Sequence, residues 1–346
     1  MFLSEFDFPF DPSLVADQPV LPRDQARLLV LDRGTGIRLH RRIADLPQLL
    51  QPGDLLVVND TKVMPARVSG RLVSTGKEVE FLFVEDLGDG IWSILAKGRL
   101  RPGTQIQFPY GGRGEIVERS QEKTTLRVTG VDRVDSLMEK AGTMPLPPYI
   151  KRLPTEQDLI WYQTIFARCE GAIAAPTAGL HFTPRLQEAL GDAGIRITTI
   201  TLHVGPGTFR PVTAARIEEH RMGAERVQVT DAAVAAIQRT REEGKRVIAV
   251  GTTVVRALES AARATGQVQP FGGPTDLFIS PGFVFHVVDA MITNFHLPRT
   301  TWLMLVSAFV GVEPLREAYR EAVAQRYRFY SYGDAMLIGA GWRGTT

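Results

Sequence analysis

The apolar residues of this chain fall into two textures. In one, contiguous apolar runs are bounded by turns: 55–58 follows Gly53-Asp54 and leaves through Asn59-Asp60, and 247–250 leads into Gly251-Thr252-Thr253. Such runs predict strands buried on both faces and covered by helices. In the other, short β-branched or alternating runs recur at 79–84, 91–96, 106–108, 115–117 and 124–128, with glycine turns such as Gly88-Asp89-Gly90 between them. No helical period interrupts this texture from about Arg67 to Thr129, which predicts a small antiparallel barrel.

After the rigid stretch Met144-Pro145-Leu146-Pro147-Pro148-Tyr149, strands and helices alternate. A strand at 171–175 precedes Thr183-Pro184, an N-cap with proline at the first helical position, and that helix runs to about Ala193 before Gly194. A strand at 195–203 follows. Thr230-Asp231 opens a helix that Gly244 ends, and the strand 247–250 turns through Gly251 into a helix carrying Val254, Leu258 and Ala261. Two further helices are expected at 300–310 and 314–325, and a polar, glycine-rich loop at 264–274. Alternation of this kind predicts a largely parallel sheet. The expected fold class is therefore α/β: a discontinuous main domain, 1–62 and 149–346, with the barrel inserted at 63–148.

Composition narrows the picture only slightly. The 346 residues suggest about two domains, and 44% hydrophobic with 23% charged residues is an ordinary globular balance. Only seven of the 40 basic residues are lysine, but a net charge of +2 is too balanced to announce a nucleic-acid binder. A single cysteine, Cys169, excludes an intrachain disulfide and fits a reducing compartment. The acidic, aromatic start (Met1 to Pro12) is unlike a signal peptide, and the apolar stretch at 302–312, broken by Ser307 and Gly311, falls short of the roughly 20 residues of a membrane span. A cytoplasmic protein without membrane contact is expected.

Five polar segments interrupt the apolar pattern where packing would not ask for them. Asn59-Asp60-Thr61-Lys62 leaves a buried strand, at the end where α/β sheets bind ligands, although an Asx turn would look the same. The run 175–183, with Thr177, Gly179 and His181, passes from a strand to a helix N-terminus and suits an anion or a polar cosubstrate; His181 could equally be a capping or core residue. In 201–209, His203 shares a strand face with Thr201, and Gly205, Gly207 and Thr208 follow without completing a dinucleotide fingerprint. In 251–260, Thr252 and Thr253 open a helix on which Arg256, Glu259 and Ser260 share a face, as an exposed ion pair also would. In 288–298, Asp289, Asn294 and His296 punctuate an apolar segment. The six histidines show no HExxH spacing, so no metal site is expected, and there is no Walker loop.

Ordered blocks at 55–68, 144–152, 171–183, 201–212, 247–260, 281–311 and 327–338 resemble the S-adenosylmethionine:tRNA ribosyltransferase-isomerases of queuosine biosynthesis. The strings Ala174-Ala175-Pro176-Thr177-Ala178-Gly179-Leu180-His181-Phe182-Thr183 and Asn294-Phe295-His296-Leu297-Pro298 are the most specific. Two positions depart from the family pattern. Gly223 stands after His220-Arg221-Met222 where a second histidine is usual, and Val254 replaces a serine.

The resemblance implies an α/β domain with an inserted barrel. It also implies transfer and isomerisation of the ribosyl part of S-adenosylmethionine onto 7-aminomethyl-7-deazaguanine at the tRNA wobble position. The products would be epoxyqueuosine-tRNA, adenine and methionine. S-adenosylmethionine would be a consumed cosubstrate, with no further cofactor, and the tRNA the macromolecular partner of a monomer. That chemistry needs a base near C5′, a proton donor for departing adenine, a group to accept the amine's proton and an aromatic or acidic surface for the sulfonium. His203 or His181 is the candidate base, with Glu259 or Asp289 facing the amine. Arg256 is the candidate for the methionine carboxylate, and Asn59 and Asp60 for ribose or the modified base. Thr177, Gly179, Gly205, Gly207, Thr208, Thr252, Thr253, Asn294 and His296 complete the expected binding set. Lys97, Arg99, Arg101, Lys151, Arg152, Arg326 and Arg328 are the candidate phosphate contacts. A non-catalytic RNA-binding protein would leave the histidines unexplained, and a conventional methyltransferase would show a glycine-rich loop after its first strand.

Overall fold

A computed structural model of the chain describes residues 1–98, 100–120, 123–205, 212 and 214–342. In chain order its strands begin with β1 (Arg27–Asp32), β2 (Arg38–Arg42), β3 (Leu55–Asn59) and β4 (Thr61–Val63). Six follow closely: β5 (Arg67–Leu72), β6 (Glu78–Asp86), β7 (Ile91–Ala96), β8 (Gln105–Gln107), β9 (Arg113–Arg119) and β10 (Thr124–Thr129). The rest are β11 (Cys169–Ala172), β12 (Arg196–His203), β13 (Glu225–Val229), β14 (Val247–Val250), β15 (Phe271–Thr275), β16 (Ala290–Asn294) and β17 (Ala335–Gly339).

Nine of these form one sheet in the order β15-β13-β12-β3-β14-β16-β17-β1-β2. The contiguous apolar runs lie at its centre, and every residue of β3 and β14 is buried. Their side chains alternate between two cores. Leu55 and Val57 join Val254, Leu258 and Phe309 on one face, while Leu56 and Val58 join Phe182, Leu186 and Leu190 on the other. Both faces are covered, so neither parity of the strand tolerates a polar residue until it exits at Asn59.

The sheet is mixed rather than largely parallel. β12, β3, β14 and β16 run parallel to one another, but β17 is antiparallel to β16, and β13 is antiparallel to both β12 and β15. The reason is connectivity. One crossover helix carries the chain from the C-terminal edge of the parallel strands back to their N-terminal edge, as Pro184–Asp192 does before β12. Two helices in succession, Thr301–Val310 and Val312–Ala324, leave it at the exit edge, so β17 re-enters in reverse. The expected loop at 264–274 contains most of β15, an edge strand whose Phe271-Gly272-Gly273-Pro274-Thr275 sequence carries little strand propensity. Its pairing with β13 supplies what propensity does not, and Pro274 is tolerated at such an edge. The strand expected at 171–175 lies at Cys169–Ala172 and pairs with β4.

β5 to β10 close into a six-stranded antiparallel barrel. Phe81, Phe83, Trp92, Ile94, Ile106, Ile116 and Leu126 fill its interior. No helix among the described residues is long and apolar enough to cross a membrane.

The chain leaves the barrel through the helix Val134–Ala141, which stops at Gly142. A methyl group on Gly142 would sit 1.8 Å from the Pro65 carbonyl oxygen and 2.4 Å from that of Met138. Backbone cannot yield as a flexible side chain does, so overpacking here should cost at least the usual ~1–3 kcal/mol. Calorimetry should show a clearly lowered unfolding temperature for Gly142→Ala; an unchanged one would contradict this packing.

Candidate active site

Because β12, β3, β14 and β16 are parallel, their C-terminal ends share one edge of the sheet. That edge presents His203, Asn59-Asp60, Gly251 and Asn294. A cavity opens there, of about 520 Å³ when the solvent-open space at its mouth is counted. Its walls include Thr177, Thr252, Thr253, Asn294, His296 and three aromatic residues, Tyr149, Trp302 and Tyr330.

Each wall has a local cause. Gly251 adopts φ +99°, a conformation reserved for glycine, and starts the helix Thr252–Ala262 abruptly, so its first turn faces the cavity. The Thr253 hydroxyl is buried there with no hydrogen-bond partner among the described residues. Thr177 donates to Asn294 Oδ1 at 2.8 Å, and Asn294 Nδ2 donates to the Tyr330 carbonyl at 3.1 Å. Tyr330 holds φ +68°, which is costly for a bulky side chain by about 1–3 kcal/mol. Its N–H to the Phe295 carbonyl and the Gly333 N–H to its own carbonyl keep it there. The Tyr149 and Tyr330 rings lie 3.8 Å apart, Tyr149 shares a 2.6 Å hydrogen bond with Ser331, and Trp302 meets Tyr330 edge-on. These aromatics were not singled out from the sequence, although each lies within a block that carries the family resemblance.

His296 stacks near Trp302 and shares a hydrogen bond with Thr293 through Nε2. Complete burial pushes its pKa down to about 3, so it stays neutral and contributes shape and hydrogen bonding rather than charge.

A second, larger cleft of about 1,310 Å³ lies between the barrel and the sheet. Phe83, Glu85, Asp86 and Trp92 of the barrel, Asp135, and Glu170, Gly171, His203, Gly205 and Arg226 line it. The two cavities are neighbours: Val204 borders both, and the stretch from β11 onward contributes 170–173 to one and 174–178 to the other. His203 is half-buried, its Nδ1 is 2.9 Å from Thr61 Oγ1, and its Nε2 makes no hydrogen bond among the described residues. Burial, then the Arg226 charge, lower its pKa, while Asp60 opposes them.

Several of the expected residues are held by other partners in this geometry. His181 is buried, its two ring nitrogens face the carbonyl oxygens of Ala178 and Gly333, and it lines neither cavity. Glu259 accepts the N–H groups of His286, Val287 and Val288, so its charge anchors a buried turn rather than meeting an amine. Asp289 precedes β16, at the opposite edge of the sheet, and accepts from Val247 N. Arg256 forms a buried ion pair with Glu225 and donates to the Leu277 carbonyl, so it does not reach for a carboxylate in the cavity. Asn59 bridges to both backbone groups of Leu202, and Asp60 is held by Arg168 and Thr201. Gly179 packs against Thr164 and lies outside the cavity wall. Gly207 and Thr208 fall outside the described residues, as does Arg99.

Among the basic candidates, Lys97, Arg101, Lys151 and Arg326 are exposed. Arg152 instead makes a bidentate pair with Asp158, and Arg328 donates to the Gln18 carbonyl. Among the described residues no cluster of three His, Cys, Asp or Glu could hold a metal.

Glu259→Gln removes one acceptor oxygen and the charge from a site serving three amides, where hydrogen bonds to charged groups contribute about 1.5–3 kcal/mol each. The variant should melt at clearly lower temperature yet keep its turnover at permissive temperature. Loss of turnover with unaltered melting would restore a chemical role for Glu259.

A sequence model of the family described as queuosine biosynthesis protein matches residues 3–338. The S-adenosylmethionine:tRNA ribosyltransferase-isomerase of Moorella thermoacetica is 51% identical, covering 98% of this chain and 100% of the relative. The protein of that name from Citrifermentans bemidjiense is 48% identical, with the same coverage. The crystal structure of S-adenosylmethionine tRNA ribosyltransferase from Thermotoga maritima is 40% identical, covers 97% of this chain and 100% of that one, and superposes with a TM-score of 0.57. With near-complete coverage at about half identity, and with a barrel beside a mixed α/β sheet, this chain belongs to the queuosine biosynthesis protein family.

Proposed function

We propose that the protein transfers and isomerises the ribosyl group of S-adenosylmethionine onto the 7-aminomethyl-7-deazaguanine wobble base of tRNA, releasing adenine and methionine. It acts in the cytoplasm as a monomer and consumes S-adenosylmethionine as a cosubstrate without a further cofactor. The observation that carries this reading is the pair of neighbouring cavities that share Val204 in their walls, because a reaction between two large substrates needs two sites side by side.

The aromatic cavity receives S-adenosylmethionine. Tyr149, Tyr330 and Trp302 offer ring faces to the adenine and to the sulfonium, and a cation over an aromatic face gains roughly 0.5–2 kcal/mol. Thr177, Thr252, Thr253 and Asn294 supply the polar contacts that fix its orientation. The flipped wobble base enters the larger cleft, where Glu85 and Asp86 favour a cationic aminomethyl group and provide acceptors for its proton. Lys97, Arg101, Lys151 and Arg326 remain available for phosphates.

His203 stands on the wall of the cleft beside that junction and acts as the base at C5′. The C5′–H bond breaks, its electron pair stays on carbon beside the sulfonium, and the proton passes to Nε2. Since the pKa of His203 lies below the ordinary 6.5, the imidazole is neutral across the physiological range.

Labelled S-adenosylmethionine and a suitable tRNA distinguish the readings. Free adenine indicates ribosyl transfer, S-adenosylhomocysteine indicates methylation, and neither indicates binding alone. Trp302→Ala should raise KM for S-adenosylmethionine at least about tenfold, the loss of some 1.4 kcal/mol, with a smaller change for tRNA. An unchanged KM would remove the cosubstrate from the aromatic cavity. The neutral imidazole is the active form, so kcat/KM should fall only as pH drops below the lowered His203 pKa, somewhere under 6.5, and that limb should vanish in His203→Gln.

A further inference from the structure

His203 is flanked by residues of two neighbouring strands, β4 and β11. Thr61, the first residue of β4, is fully buried, and its hydroxyl oxygen lies 2.9 Å from His203 Nδ1. That same hydroxyl lies 3.5 Å from the carbonyl oxygen of Cys169, with which Thr61 is paired in the β4–β11 ladder. The ladder is irregular between Glu170 and Ala172, and at the irregularity Gly171 takes φ +132°. A Cβ at Gly171 would stand 3.1 Å from His203 Nδ1 and Cε1, so the absent side chain is what leaves room for the ring.

A threonine hydroxyl has one hydrogen and two lone pairs. The Cys169 carbonyl can only accept, so a hydroxyl that donates to it offers His203 Nδ1 a lone pair. The nitrogen answering that lone pair must carry the proton. Nε2, which makes no hydrogen bond among the described residues, is then left with the pair of electrons that a base requires.

We propose that Thr61 is a positioning residue that fixes the Nδ1–H tautomer of His203, with Gly171 clearing the space for the ring. This rests on His203 being the base at C5′. Thr61 touches neither substrate; it acts by keeping Nε2 unprotonated and aimed into the cleft. The charged and titratable groups around the imidazole are Arg226 from β13, Asp60 after β3, Lys62 on β4, and Cys169 and Glu170 on β11. Asp60 is committed to Arg168 and Thr201, and Glu170 to Lys62, so none of these carboxylates replaces Thr61 at Nδ1.

The test uses the full chain with S-adenosylmethionine and tRNA, following adenine release in Thr61→Val, Thr61→Ser and His203→Gln. Thr61→Val should lower kcat about 10- to 100-fold, as loss of tautomer control and orienting partners does elsewhere, with KM for both substrates nearly unchanged. Thr61→Ser should restore most of it. Nitrogen-15 spectra of histidine-labelled protein, assigned by the signal lost in His203→Gln, should show Nδ1 protonated and Nε2 bare, and in Thr61→Val a mixture of tautomers. That spectrum reads the tautomer whether or not the valine variant is fully active. Wild-type kcat in Thr61→Val, or a wild-type His203 protonated on Nε2, would overturn the proposal even if His203→Gln is inactive. Full activity in His203→Gln would instead overturn the underlying reading of His203 as the base.

Discussion

The arrangement depends on one constraint: four parallel strands must end at the same edge. β12, β3, β14 and β16 are locked in register by continuous parallel ladders, and their exits cannot move independently. Segments nearly 200 residues apart in sequence, such as β3 and β14, are therefore fixed side by side. The carboxyl ends of strands in an open α/β sheet are natural ligand sites because the polar backbone and loop side chains gather there while the apolar core stops.

The barrel adds the second wall. By itself the sheet edge offers an aromatic-lined cavity. With the barrel opposite, it also borders a much larger cleft lined by carboxylates. His203 lies on the boundary strand, at the end of β12, and Val204 after it belongs to both spaces. Many of the polar groups near this edge serve the framework. Asn59 ties β3 to β12, Asp60 gathers Arg168 and Thr201, and the Glu225–Arg256 pair fastens β13 to the helix behind the cavity. These buried groups make the reactive edge rigid, which is what a site for positioning two substrates requires.

Much of the scaffold was legible because its signals are local. Contiguous apolar runs located β3 and β14, and short runs between glycine turns located the barrel. Edge strands were not legible: β15 contains two glycines and a proline, and only its ladder with β13 makes it a strand. The site was legible as a set of segments but not as a set of roles. Helical spacing placed Arg256 and Glu259 on one face, yet what each meets, Glu225 and a turn of backbone amides, lies far away in sequence. Asp289 and Asn294 bracket the same strand, and without knowing its direction a reader cannot tell which end faces the ligand. The aromatic wall was missed because isolated aromatic residues ordinarily report packing.

The most direct measurement is a structure of the protein with S-adenosylmethionine and an anticodon stem-loop carrying the aminomethylated base. The nucleoside should occupy the cavity of Tyr149, Trp302 and Tyr330 and the modified base the cleft beside the barrel, with C5′ about 3.5 Å from His203 Nε2. Nucleoside density away from those aromatic rings, or an imidazole remote from C5′, would contradict it.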